Sequence, residues 1–197
     1  MAQILQSLQK TLLAGLVLLV VVLLVATSVT GTPIQFTHAW SSFVVRWLHV
    51  ICGVMWIGLL WYFNFVQIPS MPSIPDEQKP AISKVIAPTA LFWFRYAALG
   101  TVITGLLVAW MQGYIVQALT LQTGVVAIGI GMWIALVMAF NVWFIIWPNQ
   151  KKALGIVVVE AAEKAKAARL AMLTSRINTM LSITMLYMMV AQQNAGL

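Results

Sequence analysis

The stretch from Arg46 to Pro72, RWLHVICGVMWIGLLWYFNFVQIPSMP, sets an arginine and a histidine inside a run otherwise apolar enough to cross a bilayer. Ionisable groups in hydrocarbon are costly and therefore have a partner or a task. At about 100° per residue, Arg46, His49, Gly53, Trp56, Leu60, Asn64 and Gln67 fall within about 80° of one another on a helix. They form one semi-polar stripe, which belongs against protein, cofactor or water rather than lipid.

Composition gives the class. Of 197 residues, 62% are hydrophobic and only 8% are charged, with nine tryptophans; soluble domains hold about 25% charged residues. The chain reads as a polytopic membrane protein. Its net charge of +7 would suggest nucleic acid in a soluble protein, but the lysines and arginines sit mostly in two connecting segments, which makes them a topology signal. No nucleic-acid partner is expected. Cys52 is the single cysteine, so no internal disulfide forms, and because Gly53 follows it there is no C-x-x-C-H site for a c-type haem.

Five apolar runs approach the roughly 20 residues that a span requires: 11–30, 41–67, 91–112, 124–147 and 170–190. The first follows Lys10 and precedes small residues, as a signal peptide would, but it is longer than a usual signal core and reads as a retained helix. Lys10, the pair Lys79 and Lys84, and the group Lys151, Lys152, Lys164, Lys166 and Arg169 alternate with two connections, 31–40 and 113–123, that hold neither lysine nor arginine. The expectation is an all-α bundle of five spans over residues 1–197, N-terminus inside and C-terminus outside.

Pro69, Pro72, Pro75 and Pro80 predict an extended, turn-rich loop over 68–88. Pro148 in PNQKK reads as a helix stop, and the Ala-rich stretch 155–169, with Glu160–Lys164 and Glu163–Lys166 at helical spacing, reads as a cytoplasmic helical extension. Small residues share a face in the third span (Ala98, Gly105, Ala109) and in the fourth (Gly124, Ala127, Gly131, Ala135), which predicts close helix packing. Trp40, Trp93, Trp110 and Trp147 fall near span ends as interfacial anchors.

His49 lies well inside the hydrocarbon zone. There a neutral imidazole can ligate haem iron, relay a proton or bond between helices. His38, eleven residues earlier, belongs to the outer connection. Arg46 and Arg95 can each neutralise an anionic group such as a propionate, or snorkel to an interface. In the fifth span Asn178, Ser182, Met185 and Met189 make a polar and thioether stripe able to supply a weak metal ligand, or simply core.

Four blocks in order, RWLHVICGVMWIGLLWYFNFVQIPSMP, ALFWFRYAALGTVITGLL, NVWFIIWPNQKK and SRINTMLSITMLYMM, resemble the PuuD-type membrane domain, also called the urate oxidase N-terminal domain, over about Arg46 to Met189. WPNQ is the most specific block. The resemblance implies a haem-linked inner-membrane bundle; longer members join it to a cytochrome c and are linked to urate oxidation. This chain, without a cytochrome motif, resembles the short, stand-alone members. It departs from the long ones in having Ile177 where they carry a histidine, and AQQNAGL where they carry another. Arg46, His49, Arg95, Asn141, Asn149 and Asn178 match the retained blocks.

Two function classes follow. One is an accessory or structural subunit of a larger membrane oxidoreductase, not an autonomous enzyme, whose partners are membrane lipid, other membrane subunits or further copies of itself. The other is an electron-transfer protein holding haem b through His49 as axial ligand, with Arg46, Arg95 and Asn178 around the site and a separate cytochrome as partner. Transport is disfavoured, because all four acidic residues fall in the connections and no inverted repeat is visible.

Overall fold

A computed structural model describes residues 2–194 and Gly196, and among these there are helices and no strand. The chain divides into two units, residues 1–41 and 42–197. In the first, a helical turn, Ala2–Leu5, precedes α1, Leu8–Thr30. Helix α1 holds eight leucines and six valines among its 23 residues and buries no side chain. Gly31 ends it with φ 66°, the left-handed conformation that glycine adopts without steric cost.

The remaining helices are α2, His38–Ser73; α3, Lys79–Met111; the short α4, Ile115–Leu119; α5, Val126–Ala153; and α6, Ala161–Ala191. Helices α1, α2, α3 and α5 are long and apolar enough to cross a membrane. Helix α6 has the length, 31 residues, but Thr174, Ser175, Arg176, Asn178, Thr179 and Ser182 dilute its apolar run. These helices are compatible with a multi-pass membrane protein.

The loop expected over 68–88 is a correction. Helix α2 continues to Ser73 and α3 starts at Lys79, so only 74–78 is irregular. The helix stop expected at Pro148 is a second correction, because α5 runs on to Ala153. Both have one cause. A proline inside an α-helix removes an N–H and clashes with the carbonyl four residues back. Here a π turn precedes each of three prolines: Tyr62–Gln67 before Pro69, Ile82–Ile86 before Pro88 and Asn141–Ile146 before Pro148. The residue just before each proline donates its N–H five residues back, Ile68 to Phe63, Ala87 to Ile82 and Trp147 to Val142. The wider turn moves the carbonyls aside, so the chain passes the proline without breaking. After two of them the next side chain returns a donor to a carbonyl, Thr89 Oγ1 to Val85 and Asn149 Nδ2 to Ile145. The extension expected over 155–169 becomes helical at Ala161, after a turn at Gly155 with φ 75° and extended residues 158–160.

In the second unit the core is Trp56, Leu60, Phe63, Leu91, Phe94, Ala98, Ala135, Met138, Val142, Ile146 and Met185. Helices α5 and α6 make the most extensive pairing. Gly131 lets them approach: a methyl there would stand 3.3–3.4 Å from Met188 and Met189. Gly129, which no small-residue stripe included, abuts the Ala118 carbonyl and seats α4 on α5.

Candidate functional site

Helix α2 meets α6 chiefly through its π turn. Asn64 Nδ2 donates to Ser175 Oγ at 2.8 Å, and Trp61 Nε1 donates to Ser182 Oγ at 3.0 Å. From that clasp toward Ser42 the two helices part, and a cavity of about 600 Å³ opens among α2, α3, α5 and α6. Its walls are mostly apolar, and its volume falls within the range of cofactor pockets, about 300–1,000 Å³.

The semi-polar stripe of α2 faces this space. Arg46, His49, Gly53 and Trp56 all line the cavity. His49 Nδ1 lies 2.9 Å from the carbonyl oxygen of Thr101 and 3.3 Å from Thr104 Oγ1. A bare Nδ1 lone pair facing a carbonyl lone pair would be repelled, so Nδ1 carries the hydrogen and donates. Thr104 spends its own hydroxyl proton on the Gly100 carbonyl at 2.6 Å, which leaves its oxygen free to accept. The imidazole is thereby held as the tautomer whose Nε2 keeps its lone pair, the form that binds metals with a carbonyl as outer partner. Gly105 makes the seat, since a methyl there would stand 2.8 Å from His49 Cε1.

Arg46 sits one turn before His49, and Tyr114 and Gln193 also line the cavity. Burial raises the Tyr114 phenol above its ordinary pKa, and the Arg46 charge pulls the other way. Trp56 is wholly buried and its indole N–H has no acceptor among the described residues, so the cavity wall holds one unused donor. Met132, Met185 and Met189 supply thioethers to the same space.

Of the four residues expected at one site, two are elsewhere. Asn178 is fully buried between α5 and α6, accepting from Asn141 Nδ2 at 2.8 Å and donating to the Met138 carbonyl at 3.0 Å. Arg95 stacks on Trp147, its guanidinium carbon 3.4 Å from the ring centroid. Neither lines the large cavity. His38 opens α2 and is exposed. Sequence reasoning missed Thr101 and Thr104 as partners of His49. The small-residue face of α3 contained Gly105, yet a backbone carbonyl on another helix leaves no mark in sequence. Among the described residues no three His, Cys, Asp or Glu side chains gather into a metal cluster. Compared with protein-family models, with curated proteins and with solved structures, the chain finds no match, so its function is argued from its own residues.

Proposed function

We propose that this chain is a membrane-embedded redox subunit of the PuuD type that holds one b-type haem in the cavity through His49. The observation that carries the reading is the 2.9 Å contact of His49 Nδ1 with the Thr101 carbonyl: a carbonyl only accepts, so Nδ1 is assigned as the donor, which leaves Nε2 as the basic nitrogen on a ring lining a large apolar cavity. Thr101 and Thr104 orient the imidazole, as outer partners of metal-bound histidines do. Met132, Met185 and Met189 line the same cavity and would offer a thioether to the iron, a ligand type that raises haem potentials. Arg46 offers a cation to a propionate at the end where Tyr114 and Gln193 lie. Bound haem would supply one-electron chemistry, and the apolar walls would exclude water from it.

Electrons then pass to a separate partner, and the chain acts as one subunit of a larger membrane oxidoreductase. The 23 residues of α1, with no side chain buried, give lipid or such a partner a continuous apolar surface. A reduced-minus-oxidised visible spectrum of the purified protein tests the cofactor. A b-type signal lost in His49→Ala, with insertion unchanged, is the expected result. Full haem occupancy in that variant removes His49 from the site.

A further inference from the structure

The far end of α5 carries a cationic cluster with no counter-charge among the described residues. Arg95 is only 8% exposed, and its Nη1 is buried without an acceptor. The ion pairs among the described residues are Lys79–Asp76 and Lys152–Glu163, so no carboxylate serves Arg95. Its one recorded partner is a ring, Trp147, and the Nζ of Lys151 lies 5.7 Å from the centroid of that same ring. One turn earlier the Trp143 indole, edge-on to Tyr96 at 5.7 Å, is also a buried donor without an acceptor. Around Trp147 the unused groups are donors or cations, Arg95 Nη1, Trp143 Nε1 and Lys151, whereas the unused acceptors Asn64 Oδ1 and Gln67 Oε1 belong to the π turn of α2. A ligand that answers the two cations together with these donors is an acceptor with negative charge.

Trp147 is followed by Pro148, Asn149, Gln150, Lys151 and Lys152, and an aromatic residue beside lysines at the end of an apolar helix is the composition of a headgroup interface. Basic pockets between membrane helices bind anionic headgroups. An arginine presents a planar fork matched to phosphate oxygens. We infer that Arg95 and Lys151, arranged around Trp147, form a binding site for a phosphate-bearing anion, either the headgroup of an anionic phospholipid or free phosphate. The site is separate from the His49 cavity and does not depend on haem.

The test uses the full chain in nanodiscs and native mass spectrometry in a mild detergent, with phosphatidylglycerol against phosphatidylcholine as probes. Each lysine or arginine near a membrane surface favours an anionic lipid by a factor of about five, so wild type should retain phosphatidylglycerol at least about tenfold more strongly. Arg95→Gln should lose most of that preference and Arg95→Lys keep part of it. Lys151→Gln, at a half-buried position that tolerates change, should weaken it even if Arg95→Gln fails to fold. Added inorganic phosphate decides the source: displacement of the lipid assigns the site to free phosphate, and no displacement assigns it to the headgroup. Equal retention of the two lipids by wild type with no phosphate adduct on the protein, or an unchanged preference in both Arg95→Gln and Lys151→Gln, overturns the assignment.

Discussion

Replacing Gly105 by alanine tests the seat of the cavity histidine directly. The added methyl would lie 2.8 Å from His49 Cε1 and 3.1 Å from Nδ1, whereas ordinary contact begins at 3.4 Å. The ring must retreat from α3 by at least the difference, 3.4 − 2.8 = 0.6 Å. Thr101 lies one turn away on α3, so that retreat stretches the 2.9 Å Nδ1–carbonyl bond toward its limit. The cost combines the loss of one hydrogen bond, about 1 kcal/mol, with overpacking of about 1–3 kcal/mol. Gly53→Ala is the control, because it faces the same cavity and its methyl would meet nothing closer than Thr101 Cγ2 at 4.0 Å. Removing a helical glycine there should gain about 0.5–1 kcal/mol. Thermal unfolding in detergent, followed by intrinsic tryptophan fluorescence, should therefore move in opposite directions for the two variants. If His49 holds haem as proposed, Gly105→Ala should also weaken its retention, since the ring loses the bond that fixes its tautomer. If Gly105→Ala melts at or above wild type, the seat described for His49 is wrong.

The Asn141–Asn178 bond should couple α5 to α6: Asn178→Leu strands Asn141 and costs about 1–2 kcal/mol, and adding Asn141→Val should recover part of it in mixed-micelle unfolding. In a Cys52→Ser background, a membrane-impermeant thiol reagent added outside should reach Gln35→Cys and Gln193→Cys but not Gln78→Cys; the reverse pattern would overturn the inside–outside assignment. Lys79 donates to Asp76 at 2.6 Å and, by that bond and its charge, lowers the carboxyl pKa. A depressed carboxyl pKa stabilises the fold above the ordinary aspartate range and ceases to do so as the pH falls through the lowered value. Comparing melts of wild type and Asp76→Asn over pH 3–7 should show a small difference at neutral pH, since the pair is exposed, and none once Asp76 is protonated.

The helices were legible because apolar length is a strong local signal, and the face of α2 was legible because helical period alone puts Arg46, His49, Gly53 and Trp56 in line. What they face was not. Whether Asn178 joins His49 or bonds to Asn141 depends on how α6 is rotated against α5, which packing decides. The partner of Arg95 is hidden in the sequence for the same reason: Trp147 is 52 positions away, and its place near a span end marks it as an interfacial anchor. The loop expected over 68–88 fails for another reason: proline usually breaks a helix, but a helix that widens by one residue beforehand carries it without a break.

That widening also shapes the site. In an unbroken α-helix, Asn64 and Gln67 would continue the line of His49 and Trp56. The π turn at Tyr62–Gln67 inserts one residue, bringing Asn64 onto Ser175 while Trp61 bonds Ser182. Asn64 holds the turn itself as well, donating to the Leu60 carbonyl at 2.9 Å. On α5 the π turn begins at Asn141, the residue that reaches Asn178. Both π turns thus direct an asparagine at the polar face of α6, and both precede a proline. The prolines favour the wide turns, the wide turns aim the asparagines, and the asparagines clamp α6 at one end of the unit. With α2 bonded to α6 at that end and to α3 through His49 and Ser42 along its other half, the space left between α2 and α6 is the cavity that His49 lines.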